Sequence, residues 1–402
     1  MMMTRASGRF RYTCAATCLI ASLITSSAEA QTDARTVQDI LGFLVTNRGV
    51  QTGDFDKDRE AAEATRATLT QALLSAIAQV PISTSSSGFT YQLNPTLGTV
   101  ERASETFGPF FAERALTSGA GQASFGLTFQ YASFTSLDGN DLATGDFVTT
   151  ANQFRDEPAP FDIETLTLDI STRTTTLFGS FGVTDRLDIA AAVPFVSLAI
   201  SGSRVNTYRG TSSVQAQASA QTFGVADIAV RSKYRFTPDG PANAAAAVEL
   251  RLPTGRDEDL LGAGDFAVRV IGIASAELGA TTMHGNVSVG GGGLGRETTF
   301  SGAVAHAATP RVTIVGELLA RRSSGTQQVG VVVAPHPRIA GVETTRLIPI
   351  GDDQLTTTAI AGFKWNVTGT WLLQGNVIVP LTERGLTGRV TPSIAIDYSF
   401  TR

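Results

Sequence analysis

The stretch VADIAVRSKYRF, residues 225–236, places Ala226, Ile228, Val230, Ser232, Tyr234 and Phe236 on even positions and Asp227, Arg231, Lys233 and Arg235 on odd ones. A period of two is a strand with unlike faces. In a soluble sandwich the charged face meets water. In a barrel that spans lipid the arrangement inverts, with the apolar face outward and the charges in the lumen. The surrounding sequence decides between the two.

The same parity recurs downstream. Ala246, Val248, Leu250 and Leu252 oppose Glu249 and Arg251; Phe266, Val268 and Val270 oppose Arg269; Val312, Ile314 and Leu318 oppose Glu317 and Arg321; Leu355, Ala359, Phe363 and Trp365 oppose Lys364. From Gln122 onward the pattern predicts strands near 122–134, 163–183, 187–200, 223–236, 244–253, 266–277, 281–290, 299–307, 311–321, 354–366, 370–380 and 388–400. Short links such as 184–186, 237–243, 278–280, 308–310 and 367–369 alternate with long ones such as 135–162, 201–222, 254–265 and 322–353. Tight turns at one end and long loops at the other are the mark of an antiparallel outer-membrane barrel, here of about twelve strands. Links 135–162 and 322–353 are each long enough to hide a further hairpin. Symmetric pairing about the link 237–243 sets Arg231 opposite Glu249.

Aromatic placement agrees, since Phe181, Tyr234, Phe236, Trp365 and Trp371 flank short links, where an interfacial girdle belongs. The last strand carries Pro392, Ile394, Ile396, Tyr398 and Phe400 on one face, a pattern like the C-terminal signal read by barrel-assembly machinery, with Thr401 and Arg402 following the aromatic residue.

The chain has 402 residues, 42% of them hydrophobic and 17% charged, too apolar for disorder. Its start combines Arg5, Arg9 and Arg11 with an apolar stretch over 12–24 and the small-x-small site Ala28-Glu29-Ala30, which reads as a secretory signal over 1–30. Both cysteines, Cys14 and Cys18, lie inside it, so the secreted chain has no thiol for disulfides, metal ligation or catalysis. Loss of this segment moves the formal charge from −5 to −7, against a nucleic-acid partner. Residues 31–84 read as a helical periplasmic or plug segment, with Val37, Ile40, Leu41 and Leu44 on one stripe and an Ala-rich helix over 55–80. Residues 85–121 read as a hairpin around Asn94-Pro95 and a lead-in, and 122–402 as the barrel.

Three phrases, FGVTDRLDIAAAVPFV (181–196), LRLPTGRDEDLLGAGD (250–265) and ETFGPFFAERALTSGAG (105–121), resemble the bacterial outer-membrane barrel family named for the meta pathway of phenol degradation. That resemblance spans roughly 105–402 and implies an outer-membrane barrel that takes up small molecules, aromatic or hydrophobic ones among them. It carries no binding residues across.

Other motifs are weaker. GGGGLG (290–295) satisfies a dinucleotide-binding pattern, but RETTF leads into a strand where a helix is required, which makes it a glycine-rich loop. Asp257, Glu258, Asp259 and Asp265 lack the ligand spacing of a calcium loop, and read as solvated or bridged through divalent ions to lipopolysaccharide. His284 and Ser288 share a face but stand about 13 Å apart along a strand, beyond hydrogen-bond reach. Only a serine from a neighbouring strand could approach that histidine, so no enzyme and no cofactor are expected.

The favoured expectation is a passive channel for small molecules, set in outer-membrane lipid and lipopolysaccharide. Its lining candidates are Asp169, Arg173, Asp227, Arg231, Lys233, Arg235, Glu249, Arg251, Arg269, Glu317, Arg321 and Lys364. Mixed signs imply little ion selectivity. The alternatives are a closed structural or adhesion barrel and, further off, a lipid-modifying enzyme using His284 or His306.

Overall fold

The structure is a computed structural model that describes residues 36–45, 66–67, 69–75, 77 and 88–400, apart from 95–98, 145–147, 239, 325–327, 337–338 and 352. The signal segment 1–30 and most of the helix expected over 55–80 lie outside the described residues. The account below concerns Thr36 onward.

Twelve antiparallel strands close into a barrel. In chain order the wall strands are Ala123–Leu137, Asp162–Thr184, Leu187–Tyr208, a fourth in two segments (Thr211–Val225 and Ile228–Arg235), Ala242–Leu252, Ala267–Leu278, Thr281–Gly292, Gly295–Thr309, Val312–Ser324, Asp353–Asn366, Trp371–Pro380 and Thr391–Phe400. Each pairs with its neighbours in sequence, and the last returns to the first in a register that runs from Ser393 opposite Gln130 to Phe400 opposite Ala123. Closure leaves no edge with unpaired backbone groups, as a wall in lipid requires. The fourth strand is interrupted at Ala226 and Asp227, yet both segments pair with the third.

The two long links do contain more strand. Gln328–Pro335 and Val342–Ile350 form a hairpin within 322–353. Its second strand pairs with Val148–Phe154 of the link 135–162, which in turn pairs with the start of the second wall strand. These additions build up the long-loop end and leave the wall at twelve.

The opening stretch fixes the polarity of the wall. Tyr234 and Phe236 are 45% and 59% exposed on the outside, whereas Lys233 is fully buried in the lumen. The outward face carries a continuous apolar series on every side, including Phe125, Leu177, Val248, Val287, Phe363 and Ile394. Near the short turns it carries paired aromatics, Tyr234 against Phe236 and Trp371 against Tyr398.

The second wall strand departs from the expected parity. Asp169 and Arg173 are exposed on the outward face, the face that also bears Leu177 and Phe181. They do not line the lumen. Their strand turns Leu166, Leu168 and Ile170 inward, because an apolar partner occupies the lumen at that level.

That partner is the helix Val37–Val45. Thr36 and Asp39 cap it reciprocally, each side chain accepting the other's backbone N–H at 3.1 and 3.0 Å. Its stripe of Val37, Ile40, Leu41 and Leu44 is buried in one cluster with Leu69, Leu73 and Ile77 and with inward residues of the wall, among them Leu166, Leu198 and Ile200. Gln38 donates to the Asp257 carbonyl at 2.9 Å, and Arg204 of the wall donates to the Leu44 carbonyl at 3.2 Å. The acidic loop 256–265, expected to be solvated or bridged to lipopolysaccharide, keeps Asp257, Glu258 and Asp265 exposed but turns its apolar residues inward: Leu260 and Leu261 join this cluster, and the Asp227 carboxylate accepts the N–H groups of Gly255 and Ala263 at 3.1 and 2.8 Å.

Before the wall begins, Tyr91–Asn94 and Thr99–Arg102 form a hairpin. Residues 104–118 then cross the lumen near the short-turn end. We call this segment the strap.

Candidate functional site in the lumen

The strap forms neither helix nor strand, so its backbone groups need partners, and the inner wall supplies them. The Glu317 carboxylate accepts the N–H groups of Phe110, Phe111 (3.1 Å) and Ala112 (3.0 Å). Lys364 donates to the carbonyls of Phe107 and Pro109 at 3.3 and 2.6 Å. On the opposite wall Lys233 donates to the carbonyls of Arg114 and Leu116 at 3.1 and 2.8 Å, and Asp188 accepts the Ser118 N–H at 3.0 Å. Between them, Asn286 both accepts from and donates to the Glu113 backbone, at 2.7 and 2.8 Å. These anchors sit on strands that face each other across a twelve-stranded barrel, so the strap bridges the lumen from side to side.

Charges of the strap join charges of the wall. Arg231 and Glu249 are opposite one another in the register, with the Arg231 Nε 3.0 Å from the Glu249 carboxylate. The Arg231 guanidinium also holds Glu113 of the strap. Glu249 accepts further from Arg251 at 3.2 Å and Arg269 at 3.4 Å; Arg269 reaches Glu297 at 2.6 Å through its Nε, and Arg321 lies 3.8 Å from Glu297. Arg235 donates to the Asp185 carbonyl at 3.1 Å.

Of the twelve residues expected to line a pore, Asp227, Arg231, Lys233, Arg235, Glu249, Arg251, Arg269, Glu317, Arg321 and Lys364 therefore face the lumen, and Asp169 and Arg173 do not. Several of those that face inward hold other parts of the chain: Lys233, Glu317, Lys364 and Arg231 grip the strap and Asp227 holds a loop. The sequence reading of 85–121 as a hairpin and a lead-in does not include a segment across the lumen. A signal was present: two phenylalanines, Glu113 and Arg114 adjoin in a stretch with no strand alternation, and an inner wall rich in Lys, Arg and Glu needs partners in the lumen.

The neighbouring-strand serine that His284 required is present. Ser275 Oγ lies 2.8 Å from His284 Nδ1, and Thr282 Oγ1 lies 3.0 Å from Nε2. Both ring nitrogens are thereby occupied by hydroxyls. Ser275 also accepts the Ala115 N–H at 2.9 Å, and Thr282 bonds Thr106 at 2.9 Å. The cluster clamps the strap. Among the described residues no group of three or more His, Cys, Asp or Glu is placed to hold a metal ion.

Above the strap, between the helical residues and the strands from the eighth round to the second, lies a cavity of ≈ 210 Å³. Threonine is the commonest residue of its described lining, which also includes the half-buried Arg321 and the exposed Arg384.

No protein-family model and no curated protein matches the chain. Among solved structures it is similar to the COG4313 outer membrane channel from Pseudomonas putida F1, at 13% identity and a TM-score of 0.47, covering 71% of this chain and 98% of that one. It is also similar to the KdgM porin in complex with disordered oligogalacturonate, at 8% identity, a TM-score of 0.38 and coverages of 69% and 99%, and to the NanC porin, at 8% identity, a TM-score of 0.35 and coverages of 69% and 100%.

Proposed function

We propose that this chain is a bacterial outer-membrane channel for small solutes, with the strap as an internal element that controls the path. A belt of exposed apolar side chains running round the whole wall is far larger than a soluble monomer tolerates, and suits a lipid solvent. The observation that carries the channel reading is the lumen itself: a closed wall encloses a polar, charged interior that still holds a cavity. The resemblance in 105–121, 181–196 and 250–265 extends the reading to small molecules that include aromatic and hydrophobic ones. Lipid, lipopolysaccharide and the assembly machinery are the partners such a barrel would meet.

A closed structural barrel is the second reading, favoured by the strap and by the helix seated inside the wall. Conductance of refolded residues 31–402 in planar bilayers separates the two. Thr106 and Thr282 present hydroxyls 2.9 Å apart, so Thr106→Cys with Thr282→Cys brings two sulfurs to bonding range in a chain otherwise without thiols after residue 30. Current steps that fall on oxidation and return on reduction support a strap-controlled channel. Silence in both redox states leaves the structural barrel.

A further inference from the structure

The cavity above the strap has a smaller neighbour. A second cavity, of ≈ 60 Å³, lies between the strap and the inner faces of the fourth and the sixth to ninth wall strands. Phe111 and Glu113 of the strap form one side of it, and Ser288 and Ser301 are among the wall residues on the other. Among the described residues, Thr299, Leu319 and Arg321 line both cavities. These three make one patch of the inner wall, because Thr299 stands opposite Arg321 in the register and Leu319 opposite Ser301. Two cavities that share three adjoining residues meet at them. We call this meeting point the neck.

Toward the short turns the upper cavity is closed on the side of the ninth and tenth strands. The inner faces that line it with Leu319, Thr356 and Thr358 continue to Val315 and Ile360, which are buried in one cluster with Phe110 of the strap and with Ala305. Phe111, Leu319 and Ile378 pack against that cluster. Apolar side chains packed in this way leave no room for a solute, whereas the neck leads into space. At ≈ 60 Å³ the lower cavity exceeds the roughly 10–15 Å³ that one water needs. Leu319 therefore has one face on the cluster and lines both cavities, and Phe111 borders the lower cavity from the strap. Arg321 is ion-paired with Glu297, 3.8 Å away, so the neck adjoins both signs of charge and its width is the property left to select by.

We propose that solutes pass from the upper cavity through this neck into the lower one, that Leu319 sets the width that admits them, and that Phe111 of the strap is the barrier on the far side. The inference rests on the channel reading for the passage of a solute, and it names the residues that sort solutes by size. A constriction of one aliphatic and one aromatic side chain selects through its diameter.

Residues 31–402 contain no cysteine, so Ser288→Cys places a single thiol in the lower cavity and Thr358→Cys a single thiol in the upper one. Each refolded barrel is treated in detergent with methyl methanethiosulfonate and with the bulkier benzyl methanethiosulfonate, and labelling is followed by mass. Leu319→Trp should raise the methyl-to-benzyl rate ratio of the lower thiol at least about tenfold, and leave that of the upper thiol unchanged. Leu319→Ala, which removes bulk and tests the neck even where the tryptophan variant does not refold, should lower the ratio of the lower thiol. Phe111→Ala opens the far side, and should cancel the effect of Leu319→Trp. A ratio at the lower thiol that ignores residue 319 in both directions overturns the neck. An effect of Leu319→Trp that survives Phe111→Ala overturns Phe111 as the barrier. Bilayer conductance is read separately. A size effect of residue 319 in a silent barrel supports the neck and removes the channel, and current steps without a size effect remove the neck and leave the channel.

Discussion

Arg231 and Glu249 face each other across adjacent wall strands, and the pair is completed by a third charge, Glu113, from outside the wall. Coulombic attraction in the lumen is strong because little water screens it, and each ion has lost its hydration. Removing one partner therefore does more harm than the pair does good. Arg231→Ala takes from two buried carboxylates the cation they share, leaving Glu249 with Arg251 and Arg269 and Glu113 with Lys233, and should destabilise the barrel by about 3 kcal/mol, the low end for breaking a buried pair. Urea unfolding of the refolded protein reads this directly. The exposed pair Arg322–Asp353 provides the contrast: Arg322→Ala should leave the midpoint where it was.

The strap's grip on Glu317 predicts a local change without a global one. Three consecutive N–H groups converge on that carboxylate, so hydrogen exchange at Phe110, Phe111 and Ala112 should be slow in the parent protein. Glu317→Ala should raise exchange at these amides by orders of magnitude while the wall amides stay protected. Glu317→Gln keeps one acceptor oxygen and should fall between. Equal exchange in all three proteins would remove the strap as an ordered element.

Gly182 is a position where a side chain has no room. A Cβ there would stand 1.9 Å from the Gly119 carbonyl oxygen, where the chain leaves the strap and enters the wall through the bonds Gly121 N–H to Gly182 O and Gly182 N–H to Gln122 O. Gly182→Ala must push the strap's exit off the wall, and its refolding yield, read from heat-modifiable mobility on gels, should collapse. Gly302→Ala and Gly316→Ala, on the open outer face with nothing within 4 Å, should refold like the parent.

The wall was legible in the sequence because its two signals are local. Period-two alternation marks each strand, so each of the twelve overlaps its predicted range, but link length misled at 201–222: this expected loop is strand on both sides of a tight turn at Arg209 and Gly210, because the third and fourth strands pair past the ranges the alternation marks. Parity was legible too, wherever aromatic or branched residues held one face. Asp169 and Arg173 went astray because charge was taken as the sign of the lumen; Leu177 and Phe181 share their parity and point outward, which assigns the face correctly. The inward Leu166, Leu168 and Ile170 could be explained only with the helix Val37–Val45 in place, and nothing in the spacing of residues 36–45 says where that helix docks. The strap was hidden for the same reason: its partners, from Asp188 to Lys364, are spread over half the chain.

The outward assignment of the wall predicts a depth-dependent response to charge. Val287 lies midway along its strand, 49% exposed, between Gly272 and Phe300 on neighbouring strands. If this face meets hydrocarbon, Val287→Arg must carry a guanidinium into the middle of the bilayer, at a cost of about 2–4 kcal/mol. Asp169 faces the same way but lies further from the short turns than Arg173, whose neighbour is Tyr131 at the upper limit of the aromatic and aliphatic series. Asp169→Lys should leave stability in place, since its side chain reaches headgroups and water. Both variants are compared by urea titration of the barrel folded into phospholipid vesicles. A large loss for Val287→Arg beside none for Asp169→Lys supports a wall immersed to the level of Tyr131, whereas equal, small effects would mean that the apolar face is not in contact with lipid.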